Sequence, residues 1–354
     1  MKIRNLSGLI VPLLSILLAF VIGAVIMAAL GANPAEAFQY LIKGSFGTIN
    51  AFGNTLNKAT PLIFTGLCAC FAYKCGVFNL GGEGQFIMGS IVACVTALVL
   101  GEKGIEGPLV CVLCLVLGAI AGGIWGFIPG ILKITRGQNE MIISIMMNYV
   151  ATLFMGVIYT NWMRDASVPQ TLPVPNPSKL ARIFPRLRFT WGFAIAVLVG
   201  ILMWVFLFKT GAGFKIRAVG YNMTASRFNG YPVLKLMFIS FIVSGAVAGL
   251  GGAAELMGTQ FRLINGFGAG YGFDGVAMAL IGQLNPIATI LVAIFFAALR
   301  VGSTTMQAAS GVPTSVSDII QALVIIFTVA GMALVKLPSF EAFRLRLTSG
   351  KKGA

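Results

Sequence analysis

The sequence predicts an all-α, polytopic membrane protein of about ten transmembrane helices. Of its 354 residues, 58% are hydrophobic and only 10% charged, where soluble domains carry roughly 25% charged residues. Mean hydropathy is +0.93. The apolar residues fall into runs near the ~20-residue length of one bilayer crossing, and the stretches between them hold most of the Lys and Arg. Lipid is therefore the solvent for most of the chain. Residues 1–354 read as a single transmembrane domain, with no room for a sizeable soluble catalytic domain.

The spans follow in order. After the basic Met1–Ser7, the run Gly8–Leu30 is long and lacks a clear cleavage site, so it reads as a first span and not as a signal peptide. Asn33–Thr55 is polar and mixed. Pro61–Tyr73 is the core of the second span, Gly84–Leu100 the third, Leu109–Leu132 the fourth and Met141–Trp162 the fifth. The stretch from 163 to 190 is the longest external segment and carries Pro169, Pro173, Pro175, Pro177 and Pro185. Trp191–Phe208 is the sixth span, followed by a polar, basic loop over 209–235. Leu236–Met257 is the seventh, and Gly258–Gly272 is glycine-rich. Val276–Ile281 begins a broken eighth element, interrupted at Asn285-Pro286. Ile287–Leu299 and Ile319–Leu334 complete the set.

Charge sets the orientation. With the N-terminus inside and ten spans, Lys2, Arg4, Lys74, Lys133, Arg136, Lys209, Lys215, Arg217, Arg227, Lys235, Lys336, Arg344, Arg346, Lys351 and Lys352 face the cytoplasm. Positive-inside favours that arrangement. Arg164, Lys179, Arg182, Arg186 and Arg188 in the 163–190 segment count against it. The net charge of +15 thus reads as anchoring at the membrane surface, with no basic-aromatic pattern for a nucleic acid polymer.

Several chemistries are excluded. The chain has no histidine, which removes the commonest general base and metal ligand. No G-x-x-x-x-G-K-[ST] occurs, so the chain binds no ATP through a P-loop. The Gly270-x-Gly272-x-x-Gly275 spacing lacks the βαβ unit of a dinucleotide site. The six cysteines lie in or just past apolar runs, and Cys111 and Cys114 read as packing. Gly118, Gly122, Gly126 and Gly130, and likewise Gly245, Gly249 and Ala253, recur every four residues. Such stripes let helix backbones approach closely in lipid.

Polar groups inside apolar spans are costly, and each is a functional candidate. Asn79, Glu83 and Gln85 lie in a glycine-broken segment that is either a short cytoplasmic turn with a polar helix start or a pore-lining element. Asn139 and Glu140 precede the fifth span, where the acid suits a helix N-terminus. Asn148 lies two turns further on, able to bond a neighbouring helix or a passing solute. Phe273 and Asp274 follow the glycine-rich stretch, at a helix break. Glu255 is an isolated intramembrane acid that calls for a partner such as Arg262, or for a proton.

Four segments, in order along nearly the whole chain, resemble a known family. Asn79–Gln85 is similar to the "NIGxEGQ" signature of nucleoside and simple-sugar permeases of ABC importers. Asn139 through Tyr149 resembles their "NEVIxTIMLNY" segment. Gly213–Asn222, with Ala225 and Gly230, resembles the "G-x-x-x-R-A-x-G-x-N" loop that docks on the ATPase subunit. Gly270–Gly275 through Leu280 resembles "GYGFDGIAVALLG". Gln283 departs, standing where relatives often carry a basic residue.

The resemblance implies a type II importer permease in a prokaryotic-type cytoplasmic membrane. Its cargo is a nucleoside or, alternatively, a simple sugar such as ribose or galactose. It implies a second permease, identical or paralogous, an extracytoplasmic binding protein, and ATPase subunits that hold the ATP and Mg. This chain is then not itself an enzyme and binds no cofactor. The docking residues implied are Lys215, Arg217, Ala218, Gly220, Asn222, Ala225 and Gly230. An ion-coupled transporter would instead call for titrating intramembrane acids and an inverted repeat, and no clear repeat is visible.

Overall fold

The computed structural model describes residues 2–165, 168–183 and 189–335, and only the backbone for residues 2–10 and 335. Pro185, Arg186, Arg188, Lys336 and the four cations of the tail lie outside the described residues. The elements are α1 (Lys2–Ala29), α2 (Pro34–Phe46), α3 (Ile49–Lys74), α4 (Gly82–Glu102), α5 (Pro108–Arg136), α6 (Glu140–Val157), α7 (Trp191–Lys209), α8 (Gly211–Tyr221), α9 (Met223–Phe228), α10 (Val233–Glu255), α11 (Tyr271–Ile281), α12 (Pro286–Ser310) and α13 (Ser315–Val335). Short π-helical turns extend α6 to Trp162 and α10 to Gln260.

Eight helices among the described residues are long and apolar enough to cross a membrane, fewer than the ten expected. The other two are α3 and α11. α3 is long enough, but Asn50, Asn54, Asn57 and Lys58 dilute its first half. α11 has 11 residues, about 16 Å at 1.5 Å per residue, half a bilayer core.

Two stretches read as irregular are helical. Asn33 caps α2 by accepting from the Ala35 N–H at 3.1 Å, with Pro34 at the first helical position. The basic 209–235 segment folds as α8 and α9. The hydroxyl of Thr210 caps the first (3.1 Å from Gly213 N) and Asn222 Oδ1 the second (2.9 Å from Ala225 N).

The chain forms two compact units, one joining the chain up to Thr48 with the chain from Ala298 onward, the other Ile49–Ala297. In the first, α1 packs along α13, and Arg300 Nε donates to Gln321 Oε1 at 3.3 Å. In the second, α10 packs closely against α4 and α5. The two small-residue stripes meet there. A Cβ built on Gly122 of α5 would stand 2.7 Å from Gly249 Cα of α10, and one on Gly89 of α4 would overlap the Gly249 backbone. Contacts this short admit no side chain, so three helices meet backbone to backbone. At one end the proline-rich segment pairs with the chain after α10, through Thr171 N–H to Leu263 O (3.1 Å) and Val174 N–H to Phe261 O (2.8 Å). All six cysteines are free and buried.

Gly122→Ala should lower the detergent-solubilised melting temperature, by an amount corresponding to overpacking of about 1–3 kcal/mol. Gly123→Ala, whose added methyl meets nothing nearer than 3.4 Å, should leave it unchanged. Equal effects of the two would contradict the backbone contact. For orientation, Leu172→Cys and Thr224→Cys both place a thiol at an exposed position against buried native cysteines. An impermeant reagent should label the first on intact cells and the second only after the membrane is opened.

Candidate functional site

Past α3 the chain doubles back within a few residues, so that α4 starts beside Cys68, one and a half turns before the end of α3. A polar knot holds this return. Asn79 Nδ2 donates to Ser244 Oγ on α10 at 2.8 Å and to Gln85 Oε1 at 3.0 Å. Gln85 Nε2 donates back to Asn79 Oδ1 at 3.1 Å, and the same oxygen accepts from the Gly81 N–H at 3.0 Å. Asn148 of α6 clamps the helix start from the other side: its Oδ1 accepts from Gly84 N–H at 2.8 Å and its Nδ2 donates to Leu80 O at 2.9 Å. Asn79, Gln85 and Asn148 are 1%, 1% and 5% exposed. Each of the three amides is matched by a protein partner, so the knot joins α4 to α6 and α10; Ser144 Oγ of α6, beside Gly81, is buried there without a hydrogen-bond partner.

Glu83 points elsewhere. The chain from Ile264 enters the bundle as three successive turns closed by Phe267 N–H to Ile264 O, Ala269 N–H to Gly266 O and Tyr271 N–H to Gly268 O, at 3.1, 3.2 and 3.2 Å. Gly266, Gly268 and Gly270 occupy the third position of each with φ of 79°, 75° and 83°, a conformation that glycine adopts without steric cost. This ribbon delivers the first turn of α11 to the first turn of α4. Glu83 Oε2 accepts from Gly270 N–H at 3.0 Å, and a Cβ on Gly272 would lie 2.6 Å from Glu83 Cβ. Two helix N-termini thus abut, and each carries an acid in its first turn, Glu83 and Asp274, where the dipole favours negative charge. Phe86 faces Tyr271 (5.7 Å between ring centres) and Phe267 (6.1 Å). Phe273 is half exposed.

The other expected positions separate from this junction. Asn139 Oδ1 caps α6 through the Met141 N–H (3.0 Å), and Glu140 pairs with Lys133 at 2.8 Å. Both belong to the α5–α6 corner. Glu255 is buried, with Gln260 Nε2 at 3.4 Å from one oxygen and the other, Oε2, without a hydrogen-bond partner. Among the described residues it forms no ion pair with Arg262, the partner the sequence suggested by proximity along the chain. Gln283 sits with Leu284 in a left-handed turn that ends α11. Sequence reasoning missed Ser244, because a lone serine in an apolar helix ordinarily bonds back to its own helix, as this one also does to Phe241 O. It also missed the aromatic trio of Phe86, Phe267 and Tyr271.

α8 and α9 form an exposed surface. A Cβ on Gly220 would overlap the Lys74 carbonyl and stand 3.1 Å from Gly76 N, so α8 rests directly on the end of α3. Arg217 lies over the rings of Phe208 (4.9 Å) and Phe214 (5.9 Å), and Lys215 over Tyr231 at 5.9 Å. Asn222 caps α9, Ala225 supplies the capped N–H, and Gly230 turns the chain after α9. Ala218, Arg217, Asn222 and Ala225 line a groove of about 430 Å³. Beside it, Tyr221 and Phe228 are 83% and 89% exposed. Aromatic residues left this open to water are unusual away from contact sites.

An apolar bundle whose helix starts meet inside it, with a pair of exposed helices at one end, is the build of a membrane permease. Residues 51–329 match the family described as branched-chain amino acid transport system / permease component, and the chain belongs to that family. It is a multi-pass protein of the cell membrane and the permease component of a transport system. It is 37% identical over 340 residues to the guanosine ABC transporter permease protein NupP of Bacillus subtilis, covering 94% of this chain and 96% of the relative. It is 32% identical to the nucleoside ABC transporter permease protein NupB of Lactococcus lactis, covering 97% of each. It is 31% identical to a glucose ABC transporter permease protein of Haloferax volcanii, covering 97% and 91%. No solved structure matches the chain.

Asn148→Ala would strand the buried Gly84 N–H and the part-buried Leu80 carbonyl. The variant should lose about 1–3 kcal/mol of stability, read as a lowered melting temperature. An unchanged midpoint with impaired uptake would instead make Asn148 a contact of the transported solute.

Proposed function

We propose that this chain is the permease subunit of an ATP-driven importer that carries a nucleoside into the cytoplasm. The observation that carries the reading is similarity along nearly the full length to permeases named for guanosine and for nucleosides. The α4–α11 junction fits that cargo. Carboxylates such as Glu83 and Asp274 accept hydrogen bonds from ribose hydroxyls and base N–H groups, and the rings of Tyr271 and Phe273 offer flat faces to a planar base. In this account Glu83, Phe273 and Asp274 line the path. Asn79, Gln85 and Asn148 hold it in place, and Asn139 and Glu140 anchor α6 beside it. A simple sugar is the alternative, supported by the glucose-named relative.

An ATPase subunit docks on α8 and α9, with Lys215 meeting acidic groups, Tyr221 and Phe228 entering its surface, and Arg217 holding α8 in place over the rings of Phe208 and Phe214. ATP and Mg bind there and not to this chain. A binding protein delivers solute at the external face, and a second permease, identical or paralogous, completes the membrane part. Because α8 rests on the end of α3 through Gly220, movement of the docked ATPase reaches the turn that carries Asn79.

In cells expressing the chain with its partner subunits, uptake of labelled guanosine should be competed by unlabelled nucleosides and not by glucose. The opposite ranking would assign the chain to sugars. Glu83→Gln should reduce guanosine uptake at least several-fold with the melting temperature unchanged. Arg217→Glu and Gly220→Trp should each abolish uptake while the protein stays in the membrane, and full transport by both variants with normal ATPase association would remove the docking role.

A further inference from the structure

An apolar groove of about 340 Å³ opens between α3, α7, α8 and α10, lined among others by Phe71, Val199, Met203, Phe206, Ile216 and Val243. No charged side chain lines it. Cations gather at one end. Lys74 lies three residues beyond Phe71 on α3, and Lys209 three beyond Phe206 on α7. An i,i+3 spacing puts each cation on the same helix face as the groove residue, one turn nearer the cytoplasm. Arg217 follows Ile216 on α8. The Lys74 ammonium and the Arg217 guanidinium share one ring, Phe208, at 5.5 and 4.9 Å from its centre. Lys209 sits over Trp204 at 5.6 Å. Among the described residues no carboxylate pairs with any of the three, and Arg217 Nε is buried without a hydrogen-bond partner. Two like charges on one ring beside an unpartnered buried donor are unfavourable unless an anion joins them.

We propose that this groove is a binding site for an anionic phospholipid of the cytoplasmic leaflet. One acyl chain lies along the apolar lining, and the phosphate accepts hydrogen bonds from Arg217, Lys74 and Lys209. The occupant follows from two features together. A free anion has no use for the groove, and a neutral lipid has no use for three unpaired cations. Basic pockets between membrane helices on the cytoplasmic side recognise acidic headgroups in this way. The site is separate from the α4–α11 junction and independent of which solute is carried.

The test is lipid retention by native mass spectrometry of the purified complex, delipidated and then titrated with phosphatidylglycerol or phosphatidylcholine. The wild type should retain phosphatidylglycerol at least several-fold better, and inorganic phosphate at millimolar concentration should not displace it. Lys74→Gln and Lys209→Gln should each lower retention roughly fivefold. Val243→Trp, which fills the groove and leaves every charge in place, should lower retention as well. An equal preference for the two lipids in the wild type would overturn the proposal without recourse to any variant. So would displacement by inorganic phosphate, which would mark a simple anion site. Retention unchanged in Val243→Trp would show that the acyl chain lies elsewhere, and it too would overturn the proposal.

Discussion

The structure of the second unit depends on the backbone contact of α10 with α4 and α5 at Gly89, Gly122 and Gly249. In lipid there is no hydrophobic drive between helices, because the tails are as apolar as the side chains. Close van der Waals approach and satisfied polar groups must hold the bundle instead. A single methyl on Gly249 would stand 2.8 Å from Gly122 Cα, so the contact forms only because both stripes are kept small. Once α4 lies flush against α10, Ser244 comes within reach of Asn79, and Gly84 presents its N–H to Asn148 across a gap with no room for a Cβ.

The knot and the junction divide the labour at the start of α4. Asn79, Gln85 and Asn148 are matched among themselves and with backbone groups, and they face inward. Glu83, on the same helical turn, faces α11. A short helix that begins inside a bundle leaves unpaired N–H groups at its N-terminus, and here the Glu83 carboxylate takes one from the chain just before α11. The chain reaching that point runs as a glycine ribbon, irregular backbone of a kind tolerated at membrane depth where protein or a wet cavity surrounds it. The contact of Gly220 with the end of α3 ties α8 to the same turn. The proposed coupling surface and the proposed path are therefore separated by only a short connection.

Much of this was legible in the sequence because lipid imposes strong rules. Apolar runs gave the helices, the four-residue glycine spacing gave the close approach, and the motif segments gave the family. What stayed hidden had physical reasons. α8 and α9 are too short for a helical period to show, and α8 also holds three glycines. α3 carries asparagines and a lysine that break up its apolar run, and α11 is too short to count as a span, so the estimate of ten crossings stood above the eight that qualify. Asn79, Glu83, Gln85 and Asn148 all read as polar groups in costly places, and only geometry separates the three that make the knot from the one that bonds the chain just before α11. The partner of Glu255 was sought nearby along the chain at Arg262. Among the described residues no cation pairs with this acid, and its hydrogen bond comes from Gln260 at the end of the π-helical turn that extends α10.

The central claim is that the α4–α11 junction lies on the transport path and changes exposure with the ATPase cycle. The most direct measurement is the reaction rate of a thiol at Ala269→Cys, an exposed position on the glycine ribbon, in the reconstituted complex with its ATPase and binding protein. The account predicts that an impermeant reagent modifies it at rates differing several-fold between the nucleotide-free and ATP-trapped states, and that guanosine slows the faster reaction. One rate in both states, insensitive to guanosine, would contradict it.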